Sequence, residues 1–216
     1  MNPLPVRLCV FGDSFVAGVG DPQCRGWVGR VGERALGSGV DLTVYNLGVR
    51  RDTSADVRNR WLDEAVVRLP AGFDNRVIVS FGVNDTTAQD DSTRVPTDDA
   101  VAHLTHVLGE AATRGWRMLV VGPPPIADGD QNVRTATLDE RFALVCAARN
   151  VPYVPVFSHL VTDPVWLGEV RSGDGAHPGS AGYDRLAELV YGVVVTWLGG
   201  DPRSSGADRN SVGGVV

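Results

Sequence analysis

The stretch Val6-Arg7-Leu8-Cys9-Val10-Phe11-Gly12-Asp13-Ser14 decides how the rest of this sequence is interpreted. It is an apolar run that ends abruptly at a glycine, a carboxylate and a hydroxyl. The pattern predicts a buried strand that places Ser14 just beyond its carboxyl end. Because ligands of parallel α/β sheets bind at that end, Ser14 is a candidate for contact with a substrate.

The same pattern of an apolar run closed by glycine recurs at Gly48 and Gly82. Apolar runs of this kind predict five strands, at 6–11, 42–47, 76–81, 116–121 and 151–157. Helical spacing of apolar residues predicts five helices, at 27–36, 52–69 (where 52–54 are the cap residues), 97–114, 132–150 and 178–198. A polar loop is predicted at 86–96 and a long irregular stretch at 158–176. Alternating strands and helices predict an α/β fold, a three-layer α/β/α sandwich around a five-stranded parallel sheet, with strand order 2-1-3-4-5.

The composition is that of an ordinary globular chain, with 216 residues, 43% hydrophobic and 21% charged. This length predicts one domain, residues 1–199, followed by a poorly packed tail at 200–216 in which Gly, Ser, Asp and Arg dominate. The net charge of -6 argues against nucleic acid or an anionic membrane as an obligate partner. A small-molecule substrate is expected instead, and the oligomeric state stays open.

Three cysteines without metal-ligand spacing indicate reduced thiols instead of a disulfide framework. No signal peptide or membrane-spanning segment is recognised, so a cytoplasmic location is expected. Asp13 and Asp85 lack histidine partners and are interpreted as local hydrogen-bond acceptors, so neither a metal nor a cofactor is expected.

A serine needs a base within hydrogen-bond reach to act as a nucleophile. Of the four histidines, His103 and His106 lie on a predicted helix far from the strand ends, and His159 follows the fifth strand. His177 differs because Asp174 precedes it by three residues. In that arrangement the carboxylate accepts a hydrogen bond from Nδ1 and leaves Nε2 facing Ser14.

Acyl transfer also needs hydrogen-bond donors for the oxyanion of the tetrahedral intermediate. The predicted topology brings together three such donors, namely the Ser14 amide, the Gly48 amide and the side-chain amide of Asn84. Trp166 is a candidate for substrate binding, although core packing is the commoner role of a tryptophan. Arg50 and Arg51 could meet an anionic substrate, although two solvated arginines are the more frequent case.

With these motifs the sequence resembles the GDSL, or SGNH, hydrolase superfamily of esterases and lipases. The motifs are Gly12-Asp13-Ser14-Phe15, Asn46-Leu47-Gly48, Gly82-Val83-Asn84-Asp85 and Asp174-Gly175-Ala176-His177, and the resemblance runs from about residue 6 to 198. It implies a flavodoxin-like sheet, a catalytic triad of Ser14, Asp174 and His177, and an oxyanion hole of Ser14, Gly48 and Asn84. Phe15 departs from the usual leucine. The Gly-x-Ser-x-Gly elbow of the unrelated α/β-hydrolases is absent from the sequence.

The sequence therefore predicts a serine ester hydrolase that acts on esters of short-chain acyl groups through an acyl-enzyme. A carbohydrate O-deacetylase or an acyltransferase would use the same triad. A non-catalytic, flavodoxin-like binding module is the alternative from another class, but Asp13 and Asp21 would repel a phosphate after the first strand.

Overall fold

The computed structural model describes residues 3–199. In chain order its elements are β1 (Val6–Gly12), α1 (Ser14–Ala17), α2 (Gly26–Gly37), β2 (Leu42–Gly48), α3 (Ser54–Val66), β3 (Asp74–Ser80), β4 (Ala88–Gln89), β5 (Ser92–Thr93), α4 (Thr97–Thr113), β6 (Arg117–Val121), α5 (Gly129–Ala148), β7 (Tyr153–Val154), α6 (Val156–Leu160), α7 (Pro164–Ser172) and α8 (Ser180–Trp197). The predicted tail at 200–216 lies outside the described residues, so the proposed domain boundary stays a prediction.

The central sheet has five parallel strands in the order β2-β1-β3-β6-β7. This is the predicted order 2-1-3-4-5, and the predicted α/β fold class is confirmed. Gly12 pairs with Gly48 on one side and with Ser80 on the other, so the carboxyl ends of three strands meet at one edge. The residues that follow these strands therefore share one site.

Both faces of the sheet are covered, as the apolar character of β1 requires. Leu8 and Val10 pack in one core with α2, α7 and α8, whereas Cys9 and Phe11 pack in the other with α3, α4 and α5. Successive side chains of a strand point to opposite faces, so one continuous apolar run supplies both cores. The layers are helix, sheet and helix.

Several predicted boundaries are wrong. The stretch 158–176, predicted to be irregular, contains α7, which begins where Asp163 accepts hydrogen bonds from the amides of Val165 and Trp166, both at 2.9 Å. Pro164 suits its first turn, where no N–H partner is needed. The fifth strand is only two residues long because the chain turns into α6 at Val156.

The predicted loop 86–96 contains the short antiparallel hairpin of β4 and β5. The last helix begins at Ser180 and not at Pro178, because Gly179 has an extended backbone and is the N-cap residue. Among residues 3–199, none of the helices combines the length and apolar character needed to cross a membrane.

Candidate active site

Ser14 is placed by the sharp turn at the end of β1. Gly12 allows this turn, since a Cβ there would lie 1.9 Å from the backbone oxygen of Ser80. Asp13 is the N-cap of α1, and its carboxylate accepts a hydrogen bond of 2.9 Å from the amide of Phe15. Ser14 is consequently the first residue of a short helix at the carboxyl edge of the sheet.

The structure brings Ser14, His177 and Asp174 into one hydrogen-bonded row. The Oγ atom of Ser14 lies 2.7 Å from Nε2 of His177, and Oδ2 of Asp174 lies 2.7 Å from Nδ1. The His177 side chain is only 9% exposed, whereas that of Asp174 is 47% exposed. The serine and the imidazole are thus largely shielded from water.

The protonation of this row follows from Asp174. Burial opposes its ionisation, but hydrogen bonds from the His177 amide, the imidazole and the Ala176 amide lower its pKa to about 2. At neutral pH this carboxylate only accepts hydrogen bonds, so Nδ1 of the imidazole carries the proton that it donates. In the neutral ring, Nε2 then accepts a hydrogen bond from Ser14.

An aromatic stack supports the imidazole. The ring of Phe15 lies 5.0 Å from that of His177 and 6.2 Å from that of Trp166, centroid to centroid. Trp166 is fully buried, and its Nε1 donates a 2.9 Å hydrogen bond to the oxygen of Pro125. The prediction that Trp166 contacts substrate does not fit this burial, and its observed contact is with Phe15.

The His177 loop, residues 173–179, is held at its base by Glu169 of α7. The carboxylate of Glu169 accepts hydrogen bonds from the amides of Gly182, at 2.6 Å, and Ala181, at 3.3 Å. Its backbone oxygen accepts another from Gly173, at 3.0 Å. Because Gly179 offers no side-chain cap to α8, Glu169 takes the place of the missing cap residue.

A second anchor is the buried ion pair of Asp21 and Arg30. Ser180 donates a 2.8 Å hydrogen bond to Asp21, and Arg30 donates one of 3.2 Å to the backbone oxygen of Ser180. Gly20 packs directly against His177, where a Cβ would come within 3.0 Å of the histidine Cβ. The loop before α2 therefore positions the imidazole from one side and Glu169 from another.

Asn84 lies beside Ser14 in space, after β3. Its Nδ2 donates to the backbone oxygen of Asp52 at 2.9 Å and points toward Oδ2 of Asp13 at 3.5 Å. The second contact is too long to be a strong hydrogen bond. One N–H of this amide is thus fixed by Asp52, and within residues 3–199 the other makes only the long contact to Asp13.

Gly48 does not offer the free amide expected of it. Its N–H donates to Oδ1 of Asn46 at 3.1 Å, and its Cα faces the backbone of Val16 and Ala17. The next amide, of Val49, bonds to the Gly12 oxygen on β1. Successive amides of a strand point to opposite edges, so the Gly48 N–H points away from β1.

The turn that follows β2 carries two further amides close to Asp52, the residue that holds Asn84. The Asp52 amide bonds to the oxygen of Val49 at 3.2 Å, and Arg51 has a left-handed backbone with φ of 75°. Among residues 3–199, the amides of Arg50 and Arg51 have no hydrogen-bond acceptor. Nothing in the sequence indicated that the Arg51 amide would be free, because an arginine does not indicate a left-handed turn. The only available signal was its position three residues after Gly48, the last residue of β2.

Two buried carboxylates lie behind Ser14. Burial, reinforced by the charges of Asp85 and Asp52, raises the pKa of Asp13 to about 7 even though the Phe15 amide opposes the shift. Burial also raises the pKa of Asp85, whose two oxygens accept from the Ser54 amide at 3.1 and 3.0 Å. Both carboxylates thus hold the backbone around the site.

His103 has a partner that the sequence did not reveal. Its Nδ1 lies 2.9 Å from Oγ of Ser54, which also adjoins Asp85. This second serine and histidine pair has no access for a substrate, because Ser54 is fully buried. Within residues 3–199, no group of three or more His, Cys, Asp or Glu side chains is arranged to hold a metal ion.

Comparison with known proteins places these features in a family. Residues 10–185 match the model of the GDSL-like lipase/acylhydrolase family. An arylesterase of Vibrio mimicus is 24% identical over an alignment of 200 residues that covers 89% of this chain and 90% of that protein. A lipase/acylhydrolase from Enterococcus faecalis has a similar structure, with a TM-score of 0.75, 22% identity and coverage of 90% of this chain and 97% of its own.

An acetylxylan esterase from Geobacillus stearothermophilus, solved as a catalytic mutant, has a TM-score of 0.73 and 17% identity, covering 93% of this chain and 97% of its own. Identities this low show a shared fold, whereas the family match covers most of the chain. The chain therefore belongs to the GDSL-like lipase/acylhydrolase family and is a carboxylic ester hydrolase.

Proposed function

We propose that this enzyme cleaves esters of short-chain acyl groups with Ser14 as nucleophile, His177 as general base and acid, and Asp174 as the group that orients the imidazole. The observation that carries the proposal is the unbroken row from Ser14 through His177 to Asp174, with both contacts at 2.7 Å. This is the separation at which a base can take a proton from a nucleophile.

The reaction follows from the protonation of that row. Oγ of Ser14 attacks the ester carbonyl carbon while its proton passes to Nε2 of His177. The imidazolium, stabilised by the Asp174 carboxylate, then gives this proton to the leaving alcohol oxygen as the C–O bond breaks. A water molecule, deprotonated by the same nitrogen, attacks the acyl-enzyme, and the proton returns to Ser14 when the acid leaves.

The oxyanion of each tetrahedral intermediate needs donors already in place. We assign these to the Ser14 amide, which lies at the N-terminus of α1, and to Nδ2 of Asn84, held by Asp52. In place of Gly48 we assign the Arg51 amide, which has no acceptor among residues 3–199 and directly precedes Asp52. A backbone amide needs no particular side chain, so an arginine can serve.

The acetylxylan esterase supports the triad and suggests a second candidate function. Catalytic mutants of that protein replace a serine, an aspartate and a histidine, and the aspartate precedes the histidine by three positions, as Asp174 precedes His177. An acetyl group is a short acyl group, in keeping with the proposed preference. Carbohydrate O-deacetylation is therefore the second candidate, and acyl transfer to another alcohol would use the same residues.

The test is hydrolysis of p-nitrophenyl esters from acetate to palmitate by the wild type and by Ser14→Ala, His177→Ala and Ser158→Ala. Ser158 is an exposed serine of α6 and is the matched control. We expect the first two substitutions to lower kcat by at least about 10³-fold without changing the melting temperature, and the control to retain activity. Full activity of Ser14→Ala would refute the mechanism, and an optimum at long chains would refute the short acyl group.

A further inference from the structure

Arginine side chains are concentrated beside the candidate active site in a chain whose net charge is -6. Nη2 of Arg50 lies 3.8 Å from Oδ2 of Asp174, the same oxygen that contacts His177. The Arg50 side chain is 61% exposed, so its charge faces the solution from which a substrate arrives. Its guanidinium therefore lies next to the imidazole on its Asp174 side.

Arg51 adds a second charge at a backbone conformation that few arginines adopt. Its φ of 75° would suit glycine, and a side chain in that region costs free energy. No carboxylate of residues 3–199 forms an ion pair with its exposed guanidinium. The left-handed backbone belongs to the amide assigned above to the oxyanion hole, and the exposed guanidinium of the same residue remains available to an anion.

The carboxylates near this turn are already occupied. Asp52 is paired with Arg60 at 2.7 Å, and Asp174 is hydrogen-bonded to His177. Asp13 is buried, and burial favours its neutral form. The Asp174 carboxylate offsets one of the two arginine charges, so Arg50 and Arg51 together leave one excess positive charge at this turn.

A third arginine braces the turn. Nη2 of Arg94, which follows the β4–β5 hairpin, donates a 3.1 Å hydrogen bond to the backbone oxygen of Arg51. This contact fixes the backbone of the turn that carries Arg50 and Arg51. A turn that is already fixed loses less conformational freedom when its side chains bind an anion than a mobile turn does.

We propose that the substrate's alcohol portion carries an anionic group, a carboxylate or a phosphate, which Arg50 and Arg51 bind. This inference rests on the proposed function, because it uses the direction of proton transfer. His177 must protonate the leaving alcohol oxygen, so the alcohol lies against the imidazole and toward Arg50. Guanidinium groups recognise carboxylate and phosphate through paired N–H donors.

The test compares two aryl acetates of nearly equal size, 4-acetoxybenzoate, which is anionic, and its neutral methyl ester. For the wild type and for Arg50→Gln and Arg51→Gln, the measured quantity is the ratio of kcat/KM for the anionic ester to that for the neutral one. The ratio cancels any effect of Arg50 on Asp174 that both esters share. Arg117→Gln, an exposed arginine at the amino end of β6, is the matched control.

We expect the anionic ester to be favoured by the wild type and by the control, and each arginine substitution at the site to lower the ratio by about three- to tenfold. The preference should weaken as salt is added. Equal ratios in the wild type, Arg50→Gln and Arg51→Gln would overturn the inference while leaving the esterase mechanism intact. Failure of the esterase mechanism would give a different result, namely hydrolysis that Ser14→Ala does not abolish.

A binding measurement on an inactive variant tests the inference independently of catalysis. Calorimetry with Ser14→Ala would compare 4-hydroxybenzoate, 4-hydroxyphenyl phosphate and the neutral methyl 4-hydroxybenzoate. Tighter binding of either anion, lost in the double variant with Arg50→Gln, supports the inference, and the tighter of the two identifies carboxylate or phosphate. Equal binding of all three compounds would overturn it.

Discussion

The ion pair between Asp21 and Arg30 is expected to hold the His177 loop against α2, and its removal tests this arrangement. Asp21 and Arg30 have side chains that are 0% and 6% exposed. Asp21 also accepts hydrogen bonds from the Gly26 amide at 2.9 Å and from Ser180 at 2.8 Å. Asp21→Ala would leave the buried guanidinium with Asp184 as its only ion-pair partner among residues 3–199, and the Asp184 side chain is 66% exposed.

The magnitude follows from the burial. Removing one partner of a buried ion pair costs about 3–5 kcal/mol, whereas an exposed pair contributes about 0–1 kcal/mol. We therefore expect Asp21→Ala to lower the free energy of unfolding by about 3–5 kcal/mol and Asp184→Ala, the matched control on the same guanidinium, by at most about 1 kcal/mol. Because domains are typically stable by about 5–15 kcal/mol, the variant stays measurable.

The assay is urea unfolding followed by tryptophan fluorescence, with esterase activity measured in parallel. Although burial opposes it, hydrogen bonds from Arg30, Ser180 and backbone amides lower the pKa of Asp21 below its ordinary value. The stabilisation is thus present at neutral pH and is lost as the pH falls below about 4 toward the folded-state pKa. A loss under about 1 kcal/mol at pH 7, or one that grows in acid, would refute the reasoning.

Three further predictions concern the site itself. Gly12→Ala should lower the melting temperature and abolish activity, because its Cβ would lie 1.9 Å from the Ser80 oxygen; circular dichroism melting checks this. Asp174→Asn should lower kcat by about 10²–10⁴-fold with the fold retained, measured by steady-state kinetics, since the imidazole loses the carboxylate that fixes its tautomer. Burial raises the pKa of Asp13 to about 7, so the folded state binds a proton that the unfolded state releases near pH 4. Wild-type stability should therefore fall as the pH rises from about 4 to 7. Asp13→Asn should flatten that dependence in melting curves, and an unchanged slope would contradict the assignment.

Local sequence was sufficient to predict the sheet and the position of Ser14, the proposed nucleophile, at its carboxyl edge. An apolar run closed by glycine needs no distant information to indicate a buried strand, and three such runs placed Ser14, Gly48 and Asn84 at one edge. The spacing of Asp174 and His177 predicted their contact for the same reason, because a three-residue separation lets one turn join them. The 2.7 Å contact between His177 and Ser14 joins residues that are 163 positions apart in the sequence, and it follows from the parallel strand order.

Contacts between distant segments decided the remainder. The sequence shows that Gly48 ends a strand, but the pairing with β1 decides which way its amide points, and that amide points to Asn46. Trp166 looked like part of an irregular loop, whereas α7 packs it into the core behind Phe15.

Residue types and local spacing by themselves determined the α/β class and which serine, aspartate and histidine are the candidates for catalysis, because these depend on hydrophobic periodicity and on neighbours along the chain. The predicted strand order is confirmed by the pairing of distant strands. Only the tertiary structure decided which backbone amides after β2 lack an acceptor within residues 3–199 and that Arg50 lies beside Asp174. The direction of an N–H and the partner of a guanidinium depend on strand pairing and helix packing, which join residues far apart in the sequence.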